Sequence, residues 1–162
     1  MSPENYIQQL HARLQADGCD PQWEAAPDPL LIGRRSEFRI QWMASTIHLF
    51  TIAATAPEAT IATLEQFTDY AMAVAIERKK GLPRGIQTGI ALFPTVISEN
   101  VDPAALRRAG QWQKVKFACI ARPTVIDTYT RTVGTYRGTP VAGMLYAPYL
   151  RKKSERYFPQ PE

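Results

Sequence analysis

The chain has 162 residues, of which 45% are hydrophobic and 21% are charged, a composition typical of one folded domain that excludes a disordered chain. Its longest stretch without a charge, residues 40–57, contains several polar side chains and alternates like a strand, so it is a poor membrane span. The N-terminus has no apolar segment of the secretory kind. We therefore expect a soluble, cytoplasmic protein without a membrane partner, folded as one domain over residues 1–162 with a short tail at residues 159–162.

The two cysteines, Cys19 and Cys119, are too few and too far apart for a disulfide framework or a zinc site. Cys119 lies in the apolar run "KFACIA" and is interpreted as a small buried hydrophobic residue. We expect neither a metal ion nor a cofactor.

Charge is distributed unevenly along the chain. Residues 1–77 carry ten acidic and four basic residues, a net charge of −6, whereas residues 78–162 carry five acidic and fifteen basic residues, a net charge of +10. Such asymmetry is typical of proteins with an anionic partner. The alternative is that the two halves fold together and offset each other across one surface.

The first predicted element is a helix with clear signals at both ends. Ser2 is suited to cap it, Pro3 suits its first position, and Asp17 and Gly18 predict its end. Its apolar stripe consists of Tyr6, Ile7, Leu10 and Leu14.

A hairpin is predicted next, because the hydrophobic period changes from 3.6 to 2. After a short strand predicted at "LLIG", the segment "EFRIQWM" alternates and places Phe38, Ile40 and Trp42 on one buried face. The following segment "IHLFTIAA" is rich in β-branched and aromatic residues and is expected to pair with it in antiparallel fashion.

A long helix is predicted between residues 55 and 81. Thr55 and Glu58 have the spacing of a capping box, and Gly81 followed by Pro83 supplies a stop. A helix of about 23 residues would reach roughly 35 Å, enough to cross a whole sheet.

The second half alternates strands and short helices. The segment "IQTGIALFPTVIS" reads as a strand covered on both faces, with Pro94 at an edge, a bulge or the strand's end, and "DPAALRRAG" reads as a helix capped by Asp102. Strands follow in "KVKFACIA" and in "TVIDTYTRTVGTY", the latter folding back near Arg131. A final helix is expected to begin at residues 139–140 and to kink at Pro148.

These elements predict an α+β fold: a single domain with a mixed, mainly antiparallel sheet, packed by one long central helix plus N- and C-terminal helices. Over about the first hundred residues the element order resembles the core of restriction-endonuclease-like folds, and it is also similar to that of type III secretion chaperones. The first resemblance implies an acid on one central strand and an E-x-K motif on the next. Glu37 fits the acid, but "IHLFTIAA" has neither acid nor lysine. The short extra helix and the basic second half depart from the chaperones.

Basic clusters are the main chemical feature of the sequence, beginning with "ERKKGLPRG". They are candidate contacts for an anion or a nucleic acid. The alternative is that cations in the last turn of a helix stabilise its C-terminal dipole by about 0.3–1 kcal/mol each. The candidates are Arg78, Lys79, Lys80, Arg84, Arg107, Arg108, Arg151, Lys152 and Lys153.

No catalytic motif is present in the sequence, and no catalytic residue is assigned. The natural nucleophile and base, Cys119 and His48, have no motif around them. The acids Glu99, Asp102 and Asp127 are either part of a site at the end of a buried strand or residues that shape a turn and cap a helix.

We therefore expect a small binding or assembly module without catalytic activity, whose partner is an unknown protein or a second copy bound through an exposed sheet face or edge. Two alternatives stay open: a nucleic-acid-binding protein acting through its basic C-terminal half, and a hydrolase or nuclease with a dispersed site.

Overall fold

The computed structural model describes residues 1–25, 29–79, 88–116, 118–138 and 144–162. Within them the helices are α1 (Pro3–Ala16), α2 (Ile61–Arg78), α3 (Pro103–Gln111) and α4 (Ala147–Tyr157). The strands of these ranges are β1 (Gln22–Glu24), β2 (Leu30–Arg39), β3 (Ser45–Thr55), β4 (Thr88–Ser98), β5 (Lys114–Lys116), β6 (Cys119–Ala121), β7 (Thr124–Asp127) and β8 (Thr132–Gly134). The α+β prediction is confirmed.

All described strands belong to one mixed sheet. Antiparallel β1, β2 and β3 lead to the central strand β4, which is parallel to β3 on one side and to β6 and β7 on the other. Antiparallel hairpins add β5 to β6 and β8 to β7. The central strand β4 is thus parallel to all of its neighbours, and the antiparallel ladders, including the long one between β2 and β3, lie to either side.

Two prolines face each other at the centre of this sheet. Ile90 pairs with Cys119 and Thr95 with Thr124, so the constant register brings Pro94 level with Pro123, where β6 ends and β7 begins. Proline has no N–H to donate to a ladder. Pro94 therefore lies opposite the break between β6 and β7, where its missing N–H interrupts no ladder, although β4 is a central strand.

Helices cover both faces of the sheet. The aromatic and aliphatic stripe of α1 packs with Tyr149, Leu150 and Tyr157 of α4 on one face. On the other face, Ala71, Met72 and Ala75 of α2 pack against the sheet, and α3 packs beside them. The sheet thus separates the α1–α4 layer from the α2–α3 layer.

The first helix is confirmed with its predicted caps: the Ser2 side chain accepts a hydrogen bond from the Asn5 amide, and Asp17 ends the helix. The predicted start of the long helix is wrong. Thr60 is its N-cap, accepting from the Thr63 amide at 3.1 Å, and the helix has 18 residues. The predicted stop signals at 81–83 lie outside the described residues.

The predicted hairpin of β2 and β3 is confirmed, but the predicted burial is wrong for two residues. Phe38 is 57% exposed and Ile40 is 79% exposed. The reason is that a 3-10 turn over residues 40–42 ends the alternation. In addition, Arg34, on the same face of β2 as Phe38, already contacts the carbonyl at the end of α2, so Phe38 lies beyond the helix that covers this face. Trp42 is buried as predicted, at 5.2 Å from the ring of Tyr146.

Turns in the second half divide the predicted segments. "KVKFACIA" folds into the hairpin of β5 and β6, with Ala118 in the left-handed region, and the predicted turn near Arg131 is confirmed. Pro148 lies in the first turn of α4 rather than at a kink, since the first helical turn tolerates a residue without an N–H. The predicted start of this helix at residues 139–140 lies outside the described residues.

Candidate anion-binding pocket

The structure divides the basic candidates between the two faces of the sheet. Arg107 and Arg108 lie on α3, whereas Arg151 and Lys152 lie on α4 in the opposite layer. Lys80 and Arg84 fall outside the described residues.

Several of these cations already have acidic partners. Arg78, in the last turn of α2, pairs with Glu24, and Lys79 ends that helix. Arg108 lies 3.3 Å from a carboxylate oxygen of Glu65. The charges of Arg78 and Arg108 are thus offset by neighbouring carboxylates.

Lys153 belongs to a buried ionic network around Asp17. Its Nζ donates to both carboxylate oxygens of Asp17 at 2.8 and 2.9 Å, and only 3% of the Asp17 side chain is exposed. Arg35 and Arg156 pair with the same carboxylate at 2.9 and 2.6 Å, and Tyr157 donates its hydroxyl to it. Burial alone would raise the pKa of Asp17, but these hydrogen bonds outweigh it and hold the pKa at about 2. The network joins α1 to α4.

A polar cavity of about 450 Å³ lies beside α4, on the α1–α4 face. Three segments meet there: the β6–β7 junction with Arg122 and Thr124, the chain from β8 through residues 133–137, and α4 with the residues that follow it, 151–160. We call it the three-arginine pocket, after its lining residues Arg122, Arg137 and Arg151.

Arg122 is the most buried of the three, with 6% of its surface exposed. Its Nε donates to Oε1 of Gln113 at 2.9 Å, and its guanidinium lies 4.9 Å from the ring centre of Tyr136. Burial lowers the pKa of Arg122, Tyr136 acts in the opposite direction, and Arg151 lowers it further. An arginine nevertheless stays charged at neutral pH. The fold thus keeps a cation in place in the wall of the cavity.

Within the described part of the chain, none of the three arginines of this pocket forms an ion pair. Glu155 also lines the cavity but is not within ion-pairing distance of any of them. The hydroxyl residues Thr124, Thr135 and Ser154 line it as well. The arrangement offers hydrogen-bond donors and positive charge to an incoming anion.

Sequence reasoning named Arg151 but missed Arg122 and Arg137. One signal was available, because Arg122 interrupts a long apolar run. Charged residues are seldom buried without a compensating partner, so an arginine in such a run indicates a specific interaction. Arg137 has no such signal, because it is an exposed residue that reaches the cavity through the turn after β8.

The other pairs considered from sequence do not form. His48 and Cys119 lie on either side of Ile90 in the sheet, about 10 Å apart at the usual strand spacing. Asp127 accepts hydrogen bonds from the amides of Tyr129 and Thr130, so it shapes the turn before β8. Asp102 caps α3 through the Ala104 amide. Among the described residues, no group of three or more His, Cys, Asp or Glu side chains is placed to hold a metal ion.

No protein-family model matches the chain, and no curated protein or solved structure matches it either. The resemblances noted in the sequence therefore stay comparisons of element order. Within the described ranges, none of the helices combines the length and apolar character needed to cross a membrane.

Proposed function

We propose that the protein is a binding module that holds a small anionic molecule in the three-arginine pocket. The observation that carries this proposal is the buried guanidinium of Arg122, which is without a carboxylate partner among the described residues. Burying an unpaired charge costs several kcal/mol, which is a large share of the free energy of unfolding of a domain. An anionic ligand supplies that pairing.

The charge of the pocket favours a doubly charged anion. Three arginines and one glutamate line it, a formal net charge of +2. Guanidinium groups bind carboxylates and phosphates through paired, parallel hydrogen bonds. A phosphomonoester and a dicarboxylate both carry this charge, and Val133 and Phe158 offer apolar contact to the uncharged part of either.

Binding, rather than catalysis, suits the lining of the pocket. The described residues around it include no histidine or cysteine, so it lacks the usual nucleophile and base pairs. Its volume of about 450 Å³ is within the range of small-molecule sites.

Titration calorimetry with phenyl phosphate and with succinate tests the proposal. We expect one of the two to bind, and we expect Arg122→Gln and Arg151→Gln each to weaken binding at least tenfold, since a hydrogen bond to a charged group contributes about 1.5–3 kcal/mol. Lys152→Gln is the matched control, because Lys152 is exposed on the same helix and does not line the pocket.

Two outcomes would contradict the proposal. One is that neither anion binds to the folded wild-type protein. The other is that both arginine variants bind as tightly as the Lys152 control, which would place the binding elsewhere on the surface.

A further inference from the structure

A second cavity, of about 660 Å³, lies beside β2, between the end of α1 and the end of α2. Two polypeptide segments and the end of α2 line it: Ile32, Arg34, Arg35, Ser36 and Phe50 of the β2–β3 hairpin, Asp17, Gly18, Asp20 and Gln22 from the end of α1 to the start of β1, and Arg78 of α2. We call it the hairpin cavity. It shares no lining residue with the three-arginine pocket.

Two polar side chains meet across the ladder beside this cavity. Ser36 pairs with His48 in the register of β2 and β3, and the Ser36 Oγ lies 2.8 Å from Nδ1 of His48. Arg34, two residues before Ser36, brings its Nη2 to 3.5 Å from the same ring nitrogen. Three potential ligands of an anion are thus gathered within one strand pair.

The neighbours of His48 fix its hydrogen-bonding state. A guanidinium only donates hydrogen bonds, so the nitrogen that faces Arg34 carries a lone pair and no proton. Ser36 therefore donates its hydroxyl proton to Nδ1, and the neutral ring carries its proton on Nε2.

Positive charge surrounds this histidine. Burial lowers the pKa of His48, and Arg34 of β2 and Lys79 at the end of α2 lower it further. Of the other charged groups at the cavity, Arg78 pairs with Glu24, and Asp20 accepts a hydrogen bond from Gln22. On its other side, His48 pairs with the apolar Ile90 of β4. The Asp17 carboxylate also lines the cavity, and it is paired with Arg35, Lys153 and Arg156.

Arg34 is held in place without a carboxylate partner among the described residues. Its Nη1 donates to the Arg78 carbonyl at 3.3 Å, and its guanidinium lies 5.6 Å from the ring centre of Phe50. Its position is therefore set by neutral groups, and its charge stays available to a ligand.

We propose that Arg34, Ser36 and His48 form a second binding site, for a tetrahedral oxyanion such as sulfate or phosphate, and that binding is coupled to protonation of His48. The anion offsets the repulsion from Arg34 and Lys79, so the imidazole takes up a proton. Nδ1 then changes from acceptor to donor, and the Ser36 hydroxyl turns from His48 to the anion. Binding at this site consequently strengthens as the pH falls, unlike binding to arginines alone.

Nuclear magnetic resonance of the imidazole signals tests this proposal directly, because the chain has only two histidines, His11 and His48. Sulfate is the probe, since it keeps its double charge across the pH range used. We expect sulfate to raise the pKa of His48 in a saturable manner, and chloride at equal ionic strength to leave it unchanged. His11, which stacks on Trp23, is the internal reference.

Variants separate this site from the three-arginine pocket. We expect Arg34→Gln to raise the pKa of His48 without sulfate and to abolish the response to sulfate, and Ser36→Ala to weaken that response at least threefold. Arg122→Gln should leave it unchanged. A sulfate response that is equal for both histidines, or one that persists in Arg34→Gln and Ser36→Ala alike, would overturn the proposal.

Discussion

Two glycines near α3 differ in what a methyl group would meet. A Cβ on Gly134 would lie 2.8 Å from the Leu106 carbonyl oxygen and 3.1 Å from its Cα, which are backbone atoms that cannot move alone. A Cβ on Gly110, inside α3, would come no closer than 3.6 Å to the Thr135 carbonyl oxygen. One position is thus required by close packing, and the other is not.

We expect Gly134→Ala to lower the free energy of unfolding by about 1–3 kcal/mol, through forced separation of β8 from α3. Gly110→Ala should raise it by roughly 0.5–1 kcal/mol, because alanine is the better helix former. Urea unfolding monitored by circular dichroism measures both. Equal effects of the two substitutions would show that the close contact with Leu106 does not require a glycine at position 134.

His48 gives the protein a pH-dependent stability. Its pKa is lowered in the folded state, so below the ordinary histidine pKa of about 6.5 the unfolded chain binds more protons than the folded one. Stability should therefore fall as the pH is lowered from 7.5 towards 5. Urea unfolding at several pH values should show a shallower decline for His48→Gln than for the wild type, and identical declines would contradict this assignment.

At the scale of elements, local signals predicted α1 correctly, whereas tertiary contacts overrode them at α2. The capping-box residue Thr55 is the last residue of β3, and the chain after it stays beside β4. The Ala56 amide donates to the Ile97 carbonyl at 2.9 Å, and Ala59 bridges to Val101. The helix therefore begins only after Thr60. No single-sequence pattern encodes these partners.

The candidate site was less predictable than the fold for a related reason. Arg122, Arg137 and Arg151 come from three separate segments, and they approach one another only after the sheet and α4 have assembled. Sequence reasoning grouped basic residues by proximity along the chain, which selects residues at helix ends. Convergence of distant residues depends on topology, which the sequence alone left open.

The Asp17 network is the main polar contact between α1 and α4. We expect Asp17→Asn to destabilise the protein by about 3–5 kcal/mol, because it leaves Arg35 and the nearly buried Lys153 without their shared carboxylate. Asp20→Asn is the control: Asp20 is exposed, and its loss should change stability by under about 0.5 kcal/mol. Denaturant unfolding compares the two, and similar effects would show that the network contributes little.

Across the whole molecule, the acidic first half and the basic second half partly offset each other. Ion pairs join the two halves. Their members are Glu24 with Arg78, Glu65 with Arg108, Asp69 with Lys114, and Asp17 with Lys153 and Arg156. This arrangement supports the alternative reading of the charge asymmetry. Among the described candidates outside these pairs, Arg107 lies on α3, whereas Arg151 and Lys152 lie on α4 in the opposite layer.

We therefore expect weak binding to duplex DNA at physiological salt, since two separate faces do not form one continuous basic surface. Fluorescence anisotropy of a labelled duplex across a salt series measures this. Tight binding whose affinity falls steeply with salt, and which Lys152→Gln and Arg107→Gln both weaken, would favour the nucleic-acid-binding function instead.

The pairing of α1 with α4 also bears on how the chain folds. Tyr157 and Asp17 are 140 positions apart yet share a hydrogen bond, and the Tyr6 hydroxyl donates to the Pro159 carbonyl at 2.8 Å. Closing such a long loop carries a large entropic penalty early in folding, so we expect α1 to pack against α4 only late in folding. A ribosome-bound nascent chain that lacks α4 should thus expose the apolar stripe of α1 to chaperones. The contact between the two ends of the chain also predicts that a short linker between residues 1 and 162 permits circular permutation.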